Sequence, residues 1–143
     1  MKTPKSISFI TGFFTYFLLA TAWNHIDSPY IPLKQNIADG NFSSAIMLGI
    51  ELLSLIVLGI CVIKIVININ KKSFFIKQNY TCFFIMGISL YLPVLAYAII
   101  GFMGQECPEI DHALYLCGGT FLFILAEIFR YGYHLKEEQD LTI

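Results

Sequence analysis

The chain has 143 residues, of which 57% are hydrophobic and 13% are charged, and its formal net charge is −1. A water-soluble domain carries about 25% charged residues, so this composition excludes an ordinary soluble domain and indicates a membrane protein. The nearly neutral balance gives no general attraction to nucleic acid, and the length suits a single domain.

Four apolar segments follow one another along the chain, at residues 7–24, 43–67, 80–103 and 113–133. Each reaches the roughly 20 residues that a helix needs to cross the hydrocarbon layer. Helices are expected because a chain in lipid must satisfy its own backbone hydrogen bonds, and because the alternation typical of barrel strands is missing. The predicted fold is all-α: an integral membrane four-helix bundle with a short acidic tail at residues 134–143.

Basic residues are distributed unevenly between the predicted loops. Seven of them flank the first, second and fourth segments: Lys2, Lys5, Lys71, Lys72, Lys77, Arg130 and Lys136. The loops at 25–42 and 104–112 together hold a single lysine. Because basic loops remain on the cytoplasmic side, the N-terminus and the C-terminus are both expected in the cytoplasm.

The first segment allows two interpretations. Lys2 and Lys5, an apolar run and the small residues at 20–22 also describe a cleavable signal peptide. An uncleaved membrane anchor is favoured here. Either interpretation leaves the orientation of the other three segments unchanged.

Glu51 is the most costly residue of the second segment. It lies about 12 Å into the predicted helix, where an acid costs on the order of 3 kcal/mol on insertion scales. It should therefore face the bundle interior and find a hydrogen-bond donor, for which Tyr97 and Tyr115 are candidates beside Tyr16 and Thr120. A structural clamp between helices is favoured over a proton-coupled site, because no second acid is expected at that depth.

Two other patterns concern how the helices pack. Ala45 and Gly49 give the second segment a small-residue face for close approach of another helix. Pro93 lies midway along the third segment and is expected to kink it, because proline removes a backbone donor.

Glu127 and Arg130 lie three residues apart near the inner end of the fourth segment, so they share one helical face. An ion pair with a hydrated outer side is expected there. It would serve as an interfacial anchor, and Arg130 can also extend toward lipid phosphate.

The sequence gives no positive case for an enzyme. Its four cysteines suggest a quinone-linked disulfide-forming enzyme, but no C-x-x-C supplies the reactive pair. Cys61 and Cys82 fall at the cytoplasmic ends of their segments, and a Cys107–Cys117 bridge is conceivable but not favoured. The three histidines fall on both sides of the predicted membrane, so neither a metal site nor a cofactor is expected. No catalytic or phosphate-binding motif is found.

The closing stretch AEIFRYGYHLKEEQDLTI, residues 126–143, resembles the C-terminal signature of a bacterial four-helix membrane family known as domain of unknown function 2975. Twelve positions carry the resemblance: Ala126, Glu127, Phe129, Arg130, Gly132, Leu135, Glu137, Glu138, Asp140, Leu141, Thr142 and Ile143. Phe75 and Asn79 also match a phenylalanine-x-x-x-asparagine element of that family. Where the family usually has arginine after this asparagine, the chain reads YTCFF.

The resemblance implies a location in the bacterial cytoplasmic (inner) membrane and an uncleaved first helix. It implies no established activity. Members of the family look like membrane partners of small helix-turn-helix regulators encoded beside them, so a regulatory role is expected, with no residue identified as its carrier.

The tail suits such a role. Residues 126–140 are expected to continue the fourth helix into the cytoplasm. Glu137, Glu138 and Asp140 would offer an acidic patch to a basic DNA-binding protein, with Leu141 and Ile143 as a short anchoring element. The alternative is a solvated tail that ends the helix and binds no partner.

The functional hypothesis is a non-enzymatic, multi-pass membrane protein that acts as a sensor for, or a sequestering partner of, a cytoplasmic helix-turn-helix regulator. Its expected partners are the lipid bilayer and that regulator, without direct binding of nucleic acid, and association between identical copies is left open. The alternative is a small proton-coupled transporter or exporter that uses Glu51.

Overall fold

The computed structural model describes Tyr16 and residues 42–71, 73–104 and 112–141. Three long helices account for nearly all of these residues: α1 is Ser43–Asn70, α2 is Lys77–Phe102 and α3 is His112–Leu141. No strand occurs in this part of the chain, which confirms the all-α class. Each helix is long and apolar enough to cross a membrane.

The three helices correspond to the second, third and fourth apolar segments. α1 begins at Ser43 as predicted and ends three residues late, whereas α2 begins three residues early, at Lys77. α3 continues eight residues past its predicted membrane segment, to Leu141. The extension is reasonable because lysine, glutamate and glutamine favour helix almost as well as alanine does.

The first predicted segment lies outside the described residues, apart from Tyr16, which is helical and exposed. The fourth member of the predicted bundle and the choice between anchor and signal peptide therefore remain predictions. The cytoplasmic location of both termini also remains a prediction.

Helix α2 lies between the other two. It packs against α1 on one side and α3 on the other, while the backbones of α1 and α3 do not come close to each other. Short connections make neighbouring helices antiparallel. We call the end of the bundle that carries the α1–α2 connection, residues 71–76, the loop end.

One cluster of buried apolar side chains lies toward the loop end. Cys61 and Ile65 of α1 pack there with Cys82 and Met86 of α2, and Leu122 of α3 reaches the same cluster. Many large apolar side chains point outward instead, among them Ile46, Leu53, Ile60, Phe121, Ile124 and Ile128. Apolar patches of that extent are not tolerated in water, so lipid contact explains them.

Glycines decide how closely α2 and α3 approach. An added Cβ at Gly87 would lie 2.7 Å from Phe123 Cε1, and one at Gly119 would overlap the Tyr91 ring. Each glycine thus receives an aromatic ring from the facing helix, which suits membrane interfaces built on small residues. The predicted small-residue face of α1 makes no such contact with α2 or α3, since no described atom lies within 4 Å of an added Cβ at Gly49, and its use stays a prediction.

Candidate functional site

The α1–α2 connection is held by one buried amide. Asn79 lies in the first turn of α2 and has no exposed surface. Its Nδ2 donates to the carbonyl oxygens of Ser73 at 3.2 Å and Phe74 at 2.7 Å, and its Oδ1 accepts from Asn68 Nδ2 at 2.7 Å. Both donors and the acceptor of the amide are therefore used, which fixes the loop to the ends of α1 and α2.

Phe75 connects this loop to α3. Its ring lies against the backbone of Gly132, where an added Cβ would overlap the ring. The ring centroid also lies 5.5 Å from that of Phe129, which in turn lies 4.8 Å from the Phe83 ring. The structure thus brings together Phe75, Asn79 and Gly132, three of the positions on which the family resemblance rests.

Gly132→Ala is expected to lower the free energy of unfolding by about 1–2 kcal/mol, because the new methyl group must displace the Phe75 ring. Alanine favours helix over glycine by about 1 kcal/mol, so a loss of stability would report the overlap and not helix propensity. The measurement is thermal unfolding of the purified chain in a single detergent.

Gly101→Ala is the matched control, since no described atom lies within 4 Å of an added Cβ at that position. This variant should unfold at the wild-type temperature or above it. Equal stability of the two variants would contradict the packing of Phe75 on α3.

A second buried polar contact joins α1 to α2 beside Pro93. Proline has no N–H, so the carbonyl of Ser89, four residues earlier, lacks its usual partner within the helix. Ser54 Oγ of α1 donates to that carbonyl oxygen at 2.8 Å, and both serines are buried. The helix α2 therefore continues through Pro93, and a side chain of its neighbour satisfies the freed carbonyl.

Glu51 is buried on α1, with 6% of its surface exposed, one turn before Ser54. One of its predicted donors, Tyr115 of α3, lies within electrostatic range of it. The other predicted donor, Tyr97, packs edge-on against His112, with ring centroids 4.4 Å apart. Thr120 pairs instead with Tyr91, at 2.8 Å between hydroxyl oxygens. Clamp and proton-coupled site both remain predictions for Glu51.

Glu127 and Arg130 form a salt bridge on α3, with 2.7 Å between Oε2 and Nη2. Both side chains are more than half exposed, and a pair so placed in water contributes only about 0–1 kcal/mol. The pair lines a groove between α2 and α3 with Tyr80, Thr81 and Phe84. Its predicted use as an interfacial anchor is compatible with that position.

The end of α3 stands clear of the other described helices. Every residue from 134 to 141 is exposed, and Leu141 exposes 87% of its surface. Within this segment Tyr133 Oη donates to Glu137 Oε1 at 2.5 Å, and His134 Nδ1 lies 3.5 Å from Glu137 Oε2. The predicted tail residues Glu137, Glu138, Asp140 and Leu141 thus share one helical end, while Ile143 lies outside the described residues.

Sequence reasoning did not anticipate the contact of Ser54 with the Ser89 carbonyl or the proximity of Cys61 to Cys82. The two thiols lie in the same buried cluster, and neither forms a disulfide. Pro93 could have indicated the first contact, because a proline inside a helix leaves the carbonyl four residues earlier without its backbone donor. Cys117 is a free, exposed thiol, and Cys107 lies outside the described residues.

Chemically, this arrangement offers structural polar contacts and an exposed acidic helix end. No group of three or more histidine, cysteine, aspartate or glutamate side chains is close enough to hold a metal ion in the described part of the chain. The fold and these contacts define a helical, multi-pass membrane protein whose outer surface contacts lipid.

Comparison with known proteins adds no narrower class. No family model, no curated protein and no solved structure matches the chain.

Proposed function

We propose that the chain is a non-enzymatic membrane protein of the bacterial cytoplasmic membrane that captures a basic, cytoplasmic DNA-binding regulator on the exposed end of α3. The family resemblance of residues 126–143 suggests a regulator as the partner. The described structure suggests the contact surface. The residues from His134 to Leu141 belong both to the stretch that carries the resemblance and to the exposed end of α3.

The observation that carries the proposal is the unbroken extension of α3 to Leu141. Its 30 residues give a helix of about 45 Å, whereas the hydrocarbon layer is about 30 Å thick. About 15 Å of helix is therefore left to extend into water. A rigid helix that carries its side chains outside the membrane loses little conformational entropy when a partner binds it.

The negative charge at the end of α3 favours a basic partner. Residues 134–141 carry three carboxylates against one lysine, and the last turn of α3 holds no basic residue. Acids at the C-terminal end of a helix oppose its dipole by about 0.3–1 kcal/mol. Such a composition does not stabilise the helix, but it does attract a positively charged surface and fix its orientation.

The test is co-purification from native membranes, with the captured proteins identified by mass spectrometry. The full-length chain should enrich a basic DNA-binding protein. The Glu138→Lys/Asp140→Lys variant should lose at least 90% of that capture, and removal of residues 136–143 should abolish it. Capture by the intact chain should also weaken at high salt, because surface charges are screened beyond about 10 Å at 0.1 M.

Glu109→Lys/Asp111→Lys makes the same change of charge in the sequence just before α3 begins. Capture should survive in this control, because it leaves the tail intact. Wild-type capture by the charge-reversed tail would overturn the proposal. Capture lost equally in both variants would point to a general charge effect and would overturn it too.

A further inference from the structure

An open cleft lies between α1 and α2 at the loop end, with a volume of about 620 Å³. That size falls within the roughly 300–1,000 Å³ of small-molecule sites. Lys64 of α1 and Lys77 of α2 line it from opposite sides. Because lysine side chains near the ends of membrane helices extend to the interface, we expect the cleft to lie at the membrane surface.

The lining combines two kinds of surface. Its polar part carries the two lysines with Gln78 and Thr81, and the apolar part includes Ile67 and Ile85. No described lining residue is acidic, and neither lysine forms a salt bridge with a described carboxylate. Two ammonium groups that lack a counter-charge among the described residues, set above apolar walls, match a ligand with an anionic head and an apolar tail.

The cleft is held in shape by contacts already described. Asn68 lines it, and the side chain of Asn68 is bound to the fully buried Asn79. The Thr81 hydroxyl donates to the Lys77 carbonyl at 2.9 Å, so its proton is not offered to a ligand. The side-chain donors that remain for an anion are the two ammonium groups, the Gln78 amide and the second N–H of Asn68 Nδ2.

We propose that this Lys64–Lys77 cleft binds the phosphate headgroup of one anionic phospholipid, drawn from the leaflet at the loop end. The two ammonium groups contact the phosphate oxygens. The acyl chains run along the apolar walls and out into the bilayer. The cleft is separate from the acidic end of α3, so the inference does not depend on capture of a regulator.

The test uses the purified full-length chain in mild detergent, with phosphatidylglycerol or phosphatidylcholine added, and counts bound lipids by native mass spectrometry. One phosphatidylglycerol should bind in preference to phosphatidylcholine. Lys64→Gln/Lys77→Gln should weaken that binding about 25-fold, which is about fivefold for each ammonium group removed near a membrane surface.

Lys71→Gln/Lys136→Gln is the matched control, because it removes the same charge from two exposed lysines that do not line the cleft. Its binding should change less than threefold. Equal losses in the two double variants would overturn the proposal, as would equal binding of the two lipids by the wild-type chain.

Two arms complete the experiment. Inorganic phosphate should not displace the bound lipid at equal concentration, and displacement would identify a free-anion site and overturn the proposal. Lys64→Arg/Lys77→Arg keeps both charges and should retain binding. If the glutamine variant fails to fold, the arginine variant still tests the proposal, because a folded arginine variant that does not bind the lipid would overturn it.

Discussion

Asn79→Asp is expected to destabilise the fold by about 2–4 kcal/mol, the largest effect among single substitutions at the loop end. The side chain is fully buried, and its Nδ2 donates to the carbonyl oxygens of Ser73 and Phe74. A carboxylate in its place would face those two oxygens with no proton to donate. Even a protonated acid has one O–H where the amide has two N–H groups.

Thermal unfolding in one detergent is the measurement, with size-exclusion chromatography to confirm that the variant is monodisperse. Gln78→Glu is the matched control, since it makes the same change from amide to acid at the neighbouring exposed position. It should change stability by no more than about 0.5 kcal/mol. If both variants unfold at the same temperature, Asn79 does not hold the loop.

Loss of the Asn79 contacts should also affect α3. Phe75 lies in the loop that Asn79 fixes, and its ring packs against Gly132 just before the exposed end of α3. The direction of that end thus depends on the loop. Phe75, Asn79 and Gly132 accordingly belong to one packing unit at the base of the exposed end of α3.

Ser54→Ala is expected to lower the free energy of unfolding by about 1–3 kcal/mol, because it leaves the buried Ser89 carbonyl without a partner. Pro93→Ala restores the N–H that this carbonyl would accept in an ordinary helix. The double variant should therefore lose about 1 kcal/mol less than the sum of the two single variants. Unfolding titrations in mixed micelles measure the stability of the wild-type chain, the two single variants and the double variant.

Ser89→Ala is the control for this comparison of single and double variants. It removes a buried hydroxyl that donates to the Met86 carbonyl at 2.8 Å, but it leaves the backbone carbonyl that Ser54 contacts. Its effect should add to that of Pro93→Ala within about 0.5 kcal/mol. Additivity of Ser54→Ala with Pro93→Ala would show that the serine does not replace the missing donor.

The sequence by itself determined the class of the protein and the three described helices. Length, apolar content and the cost of an unpaired backbone in lipid are properties of each segment alone. The sequence could therefore place α1, α2 and α3 within a few residues, including the continuation of α3 beyond its membrane segment. The i, i+3 spacing of Glu127 and Arg130 is similarly local, and their salt bridge needs only one helix.

Only the tertiary structure decided which helix faces meet. In water, a polar stripe marks the outside of a helix. In lipid, the outward face is as apolar as the inward one, so the sequence of a membrane helix carries little information on its rotation. The contact of Ser54 with the Ser89 carbonyl, the pairing of Asn68 with Asn79 and the packing of Phe75 on Gly132 all depend on that rotation. Each required the facing helix to be in place.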